Sequence, residues 1–283
     1  MEISLNGIKG NNMLGYFAGL GVVKSLSQRF SNVCLKWNDS NTASLRLDED
    51  LGPDELVEIL FKLLRESAKA FGKVGKDKFH KTTKSRFRGM LKKDFSDLKS
   101  VEILRFLSGD TQFLPETANE RVTLSSLVLL QGTGNKDYLK TVANLNCQMT
   151  QCQLKKTLFE EWGFSEESRN VSLLFSAFDR QDAALLAAKP TGINPAQLAA
   201  NRLAADGLLY FPTFYATKDK QWTTGMDGEV FRWCLNSEFL DENAIKVLVK
   251  MTSSPELLNG WPCYQAKRVT AGYYFFFDSA HRT

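Results

Sequence analysis

Ile3-Ser4-Leu5-Asn6-Gly7-Ile8-Lys9-Gly10-Asn11-Asn12-Met13-Leu14-Gly15-Tyr16-Phe17-Ala18-Gly19-Leu20-Gly21-Val22-Val23 changes its apolar period partway along. Ile3, Leu5 and Ile8 with polar residues between them predict a short strand ending at Gly7 or Gly10. Leu14, Phe17, Leu20, Val23 or Leu26, and Phe30 then recur at helical spacing, with Asn11 or Asn12 placed to cap the helix. Gly15, Gly19 and Gly21 lie inside that helix, where each costs about 1 kcal/mol relative to Ala. Such a set predicts close backbone approach by a sheet or a partner helix rather than a ligand contact.

Further along, Val33 to Trp37 and Ala43 to Leu47 read as strands, and Pro53 opens a helix to about Phe71 with Leu56, Ile59, Leu60, Leu63 and Leu64 as its buried stripe. Helices are expected over Leu98 to Leu107, Val122 to Leu130 and Gln151 to Trp162, and a strand over Val171 to Phe178. Asn194 is placed to cap a helix from Pro195 to Tyr210, which Ala196, Ala199, Ala200, Ala204 and Ala205 make thin and suited to tight packing. Strands over Trp222 to Thr224, Val230 to Cys234 and Val269 to Phe277, with a helix over Glu242 to Met251, complete the pattern. The expected fold class is α+β, with mixed helices and short antiparallel strands in two lobes, 1–113 and 114–283, meeting near Pro115.

The 283 residues include 36 Lys plus Arg and 32 Asp plus Glu, 43% hydrophobic and 24% charged residues, a globular composition. No run reaches the roughly 18 apolar residues of a membrane span, so no membrane role is expected. Met1-Glu2-Ile3-Ser4 lacks a basic then apolar leader, and Cys34, Cys147, Cys152, Cys234 and Cys263 have no framework spacing. A reducing, cytoplasmic setting is the expectation, with Cys147 and Cys152 as small buried residues or inert thiols.

The net charge of +4 conceals an uneven distribution. Lys69, Lys73, Lys76, Lys78, Lys81, Lys84, Arg86, Arg88, Lys92 and Lys93 face one acid, Asp77, so residues 69–93 carry +9 and the remainder −5. Gly72 and Gly75 argue against a continuous helix at the start of this segment, which reads as a basic loop. Phe71, Phe79, His80 and Phe87 are interleaved, and Thr82, Thr83 and Ser85 add hydroxyls. Cations displace condensed counterions, hydroxyls bond phosphate oxygens and aromatics stack on unpaired bases, so the segment points to nucleic acid. The plain alternative is a solvated loop whose phenylalanines pack on the domain.

Catalytic signatures are sparse. His80 and His281 are the only histidines, neither well placed as a base, and no zinc spacing or phosphate-binding glycine loop is present. Asp179, Asp182, Asp206 and Asp227 are the acids from which a two-metal nuclease would be assembled, although their spacing is that of ordinary surface or capping acids. No enzymatic activity, cofactor or metal is expected.

Several stretches taken in order resemble the large-subunit family of type I CRISPR interference (Cascade) complexes, in a compact version of the subtype I-G (formerly I-U) branch. They are Ile3 to Gly7 with the helix Asn11 to Val23; Leu35-Lys36-Trp37; and Leu130-Gln131-Gly132-Thr133-Gly134-Asn135-Lys136-Asp137. Phe178-Asp179-Arg180, Ala183-Ala184-Leu185 and Pro190-Thr191 follow. Then come Ala200-Asn201-Arg202-Leu203-Ala204, Gly207-Leu208-Leu209-Tyr210-Phe211-Pro212, Thr224-Gly225 and Phe231-Arg232-Trp233.

The resemblance implies a non-catalytic subunit of a ribonucleoprotein for antiviral defence. Such a subunit holds the 5′ end of a guide RNA, contacts target double-stranded DNA and other effector subunits, reads a flanking motif (PAM) and starts the R-loop. In that setting Lys73, Lys76, Lys78, Lys81, Lys84, Arg86, Arg88, Lys92 and Lys93 track phosphates. Lys9, Asn11 and Asn12 probe a groove, and Gly132, Gly134, Asn135 and Lys136 bring backbone N–H groups to a phosphate. Two other readings stand beside it: a metal-dependent nuclease using Asp179, Asp182 and Asp206, and a protein-interaction module whose basic loop docks an acidic partner.

Overall fold

The period change near residue 10 is a real boundary in the computed structural model: β1 spans Glu2–Lys9 and α1 spans Met13–Leu26. The structure describes residues 1–75, 82–93, 97–109, 121–129, 131–133, 136–163, 166–168, 172–173, 175, 194–215, 221–252, 258, 260–271 and 274–283. After α1 come β2 (Cys34–Trp37), β3 (Thr42–Arg46), α2 (Pro53–Val74), α3 (Lys84–Lys93) and α4 (Leu98–Ser108). The middle holds β4 (Gln131–Thr133), β5 (Lys136–Asp137), α5 (Tyr138–Gln148), α6 (Gln151–Phe159), β6 (Glu166–Ser168) and β7 (Asn194–Ala196). Then follow α7 (Leu198–Gly207) with a 3₁₀ turn at Leu208–Tyr210, β8 (Thr213–Tyr215), β9 (Gln221–Thr223), β10 (Met226–Asp227) and β11 (Val230–Cys234). The chain closes with α8 (Glu242–Met251), β12 (Cys263–Ala271), β13 (Tyr274–Phe277) and β14 (His281–Arg282). The fold is mixed α+β, with small antiparallel sheets.

Every residue of α1 is buried, as expected of a helix apolar all round. The Asn12 side chain caps it, accepting from Gly15 N at 2.7 Å and donating to Lys9 O at 3.0 Å. The glycines admit neighbours that no side chain would. A Cβ on Gly21 would lie 1.9 Å from Leu203 O, and one on Gly207 would lie 2.0 Å from Phe17 O. α1 and α7 thus meet backbone to backbone, and Ala199, Ala200, Ala204 and Ala205 are all fully buried, as the thin helix requires.

One face of the β1–β3–β2 sheet covers α1: Ile3, Leu5, Leu35, Trp37, Ala43 and Leu45 are buried, with Ile3 and Leu35 both opposite Leu45. The β10–β11–β12–β13 sheet, with β14 paired to β12, delivers Phe231, Trp233 and Phe277 to the same core. Phe231 lies 5.2 Å from Phe17 and 5.3 Å from Phe211 between ring centroids, and Trp233 Nε1 donates to Gly10 O at 2.8 Å. The expected lobe boundary falls within residues 110–120, outside the described residues; one buried cluster draws side chains from both sides of it.

Several expectations are corrected. Residues 122–129 form no helix, because Val122 N bonds Thr82 O and Ser125 N bonds Leu107 O, leaving that backbone committed to other elements. Asn194 lies in β7 paired with β6 and is not a cap; the helix begins at Leu198, with Gln197 at the cap position. Val269 to Phe277 is two strands, β12 and β13, with Ala271 opposite Tyr274. α2 continues through Gly72 to Val74. In the expected strand Val171 to Phe178, the described residues 172, 173 and 175 are not in a strand, and the others lie outside the described residues.

The cysteine reading changes too. Cys234 and Cys263 are register partners on β11 and β12 and are joined by a disulfide, their Cα atoms 4.0 Å apart. Cys147 and Cys152 are exposed thiols rather than buried ones, and Cys34 is half-buried. Among the described residues no helix is long and apolar enough to cross a membrane.

Candidate nucleic-acid interface

The basic segment is in part a helix. Thr83 starts α3, its Oγ1 accepting from Arg86 N at 3.3 Å, and the apolar positions Phe87, Met90 and Leu91 follow at helical spacing. Phe87 and Leu91 are buried, whereas Arg86 and Lys92 are exposed and Arg88 is half-buried. α3 has five basic residues in ten and no acid, so Lys84–Arg88 and Arg88–Lys92 are like charges four apart, each unfavourable by a few tenths of a kcal/mol within the helix. Cations in its first turn also oppose the helix dipole. A polyanion relieves both terms.

Lys84 differs from its neighbours. It is only 6% exposed, and its Nζ lies 6.0 Å from the Tyr215 ring centroid. It anchors α3 to β8 and is removed from the phosphate-tracking set. Lys73, on the last turn of α2, is 3.5 Å from Asp97, the cap of α4. Lys76, Lys78 and Lys81 lie outside the described residues, as do Phe79 and His80, and the side chain of Lys93 is likewise outside them. Of the aromatics expected to stack on bases, the two among the described residues, Phe71 and Phe87, are both fully buried. Exposed rings occur instead at Phe214 and Trp222, on β8 and β9, where the sequence suggested no more than a strand at Trp222.

Lys9, Asn11 and Asn12 sit at the β1–α1 turn, against the β2–β3 turn. Lys9 Nζ is 2.5 Å from Thr42 Oγ1, and Gly10 N donates to Asn41 O. Both ends of the Asn12 amide are used in capping α1, so it is structural rather than a groove probe; Asn11 is exposed. Gly132 lies in β4 and Lys136 in β5, a hairpin leading to Asp137, which caps α5 by accepting from Leu139 N at 3.0 Å and Lys140 N at 3.2 Å. Gly134 and Asn135 lie outside the described residues. Of the predicted residues, the structure gathers Lys84, Arg86, Arg88 and Lys92 on one helix and places Lys9, Asn11 and Asn12 in a separate corner.

Asp206 is not an available metal ligand. It is fully buried, with Lys99 Nζ at 2.7 Å, Arg202 Nη1 at 2.9 Å and Ser67 Oγ at 3.0 Å. Burial alone pushes its carboxyl up, but the charges of Lys99 and Arg202, with the bonds from Lys99 and Ser67, override this and hold it at about 2. Arg202 is also fully buried and donates to Leu64 O at 2.7 Å, so the cluster joins α7 to α2 and α4. Asp179 and Asp182 lie outside the described residues, and Asp227 is paired with Arg232 at 2.6 Å. Among the described residues no three His, Cys, Asp or Glu side chains gather as a metal site.

A surface cleft of about 490 Å³ lies beside α4, with Lys24, Lys99, Glu102 and Glu242 in its lining. Lys24 bridges Glu102 at 2.6 Å and Glu242 at 2.8 Å. Burial pushes Lys24 down and Glu242 up; ion pairing overrides both, Glu102 and then Glu242 raising Lys24, and Lys24 and then Lys246 lowering Glu242. The cleft holds paired charges that tie α1 to α4 and α8. Comparison with protein-family models, curated proteins and solved structures finds no match.

Proposed function

We propose that the protein is a non-catalytic, nucleic-acid-binding subunit of an RNA-guided DNA-targeting complex, acting in the cytoplasm beside a guide RNA, target DNA and other subunits. The observation that carries nucleic-acid binding is α3, an acid-free helix with Phe87 and Leu91 in the core and Arg86 and Lys92 outside. Such a helix presents cations of one sign beside a buried apolar side, the arrangement that a phosphate backbone complements.

The assignment to a CRISPR large subunit rests on the resemblance in the sequence. Its motifs coincide with the centre of the fold: Gly21 and Phe17 from the opening helix pack on Leu203 and Gly207 from the Ala-Asn-Arg-Leu-Ala and Gly-Leu-Leu-Tyr-Phe-Pro stretches. Those residues bear on architecture, whereas α3 bears on binding.

Purification of the protein from its native cells tests the assignment, a guide-sized RNA with other subunits being the expected result. A clean monomer without RNA refutes it. Direct binding to duplex DNA, measured across a salt series, tests the grip. The triple variant Arg86→Ala, Arg88→Ala, Lys92→Ala should bind more weakly, and its log–log salt slope should be shallower by about one for each phosphate it no longer neutralises. An acidic protein that binds the wild type while DNA does not would favour the protein-docking alternative.

A further inference from the structure

The β8–β9 hairpin has its polarity partly reversed, with two of its three aromatics on the outer face. Thr213, Tyr215, Gln221 and Thr223 face inward, and Phe214 and Trp222, directly opposite each other across the ladder, face outward. Two of the inward residues are fixed by polar bonds: Thr213 Oγ1 donates to Phe106 O at 3.0 Å, and Gln221 Nε2 donates to Thr123 O at 2.8 Å and to Ser108 O at 3.2 Å. A two-stranded sheet packed on a core ordinarily does the opposite, hiding aromatics and exposing threonines. Here Phe214 and Trp222 remain 41% and 38% exposed.

The two rings stack, with centroids 6.0 Å apart and planes 26° from parallel. Trp222 Nε1 donates to Met226 O at 3.0 Å, which fixes the indole and consumes its one donor. What remains for a partner is ring surface without a hydrogen-bonding edge. Two side chains are far too little for a protein partner, which needs about 800 Å² on each side. They suffice for a base, because stacking needs only a flat face and tolerates any sequence.

Charge complementarity points the same way. The segment 121–126 pairs at one end with the start of α3, through the Thr83–Arg121 bridge and the Val122 N to Thr82 O bond. At its other end it meets β9, where Ser126 N donates to Thr223 Oγ1 at 3.4 Å. Even at full extension the four steps from Val122 to Ser126 reach only about 13 Å, so the start of α3 and the strand that carries Trp222 lie within that distance of each other along this segment. Lys84 beside Tyr215 sets the first turn of α3 against the inner face of the same hairpin.

We infer that Phe214 and Trp222 form a stacking platform for unpaired bases of a DNA strand whose phosphates are held by α3. The inference rests on the nucleic-acid reading above, and the test separates the two. Fluorescence anisotropy is measured on a labelled oligo-dT of about twelve nucleotides, on oligo-U of that length, and on a strand with abasic sites that keeps its phosphates. Phe214→Ala and Trp222→Ala should each weaken oligo-dT binding about tenfold and leave the abasic strand unchanged, while Trp222→Phe keeps most of the affinity.

Alanine variants that bind oligo-dT like the wild type overturn the platform and leave the phosphate grip standing, provided the wild type binds. A wild type that binds none of the strands overturns both. A larger loss on oligo-U than on oligo-dT overturns the DNA assignment. If Trp222→Ala does not fold, as judged by its circular dichroism melt, Phe214→Ala decides.

Discussion

Gly21 and Leu203 meet backbone to backbone: a Cβ at position 21 would stand 1.9 Å from the Leu203 carbonyl oxygen. Neither backbone can yield without pulling α1 and α7 apart. Gly21→Ala should therefore destabilise the fold by about 3 kcal/mol, the upper end for overpacking, and Gly207→Ala, which meets Phe17 O, should behave alike. Gly72, inside α2 with nothing within 4 Å of its added Cβ, is the control; Ala there should stabilise by about 0.5–1 kcal/mol. Urea unfolding midpoints of the three variants check the contrast.

Asp206 should make the protein sensitive to acid. Its carboxyl is held at about 2, below the usual 3.8, so the charged form is favoured in the folded state. A depressed folded value means that the contribution is complete above about pH 4 and is lost as the pH falls toward 2, amounting to about 2–3 kcal/mol. Asp206→Asn should cost about 3–5 kcal/mol near neutral pH, because Arg202 is left buried without its counter-charge. Stability measured from pH 6 to pH 2 should fall less steeply in that variant than in the wild type.

Local signals carried the elements whose periods are long or whose caps are built from neighbouring residues. α1 with its Asn12 cap, α2 behind Pro53 and α8 over Glu242–Met251 all follow such signals, and the glycines of α1 correctly announced a close neighbour. Residues 122–129 and Asn194 failed because their backbone bonds go to partners far along the chain, which no local pattern reveals. At the candidate interface, charge density located α3 but not the burial of Lys84 or Phe87. Alternation in Thr213-Phe214-Tyr215 was present, yet only the fold shows that the aromatic side is the outer one.

The Cys234–Cys263 pair closes a sequence separation of 29, for which loop-closure entropy gives about 3–4 kcal/mol. In the reducing cytoplasm proposed for this protein, the pair would be exposed to thiol exchange. Cys234→Ser with Cys263→Ser should therefore lower the oxidised protein's stability by that amount and leave the stability measured in excess dithiothreitol nearly unchanged. Thermal melts with and without reductant distinguish these cases.

Lys84 opens α3 and Lys92 lies one residue from its end, but the two should report on different properties. Lys84 is buried against Tyr215 at the junction of α3 with β8, so Lys84→Ala removes packing as well as charge and should lower the melting temperature. Lys92 is exposed, and its replacement should leave the stability within about 0.5 kcal/mol of the wild type. If α3 grips phosphates, Lys92→Ala and Arg86→Ala instead lower DNA affinity and flatten its salt dependence, each by about one phosphate's worth of released counterion. Measuring both quantities for each variant separates anchor from grip. A Lys92→Ala protein with wild-type affinity and salt slope would remove that end of α3 from the interface.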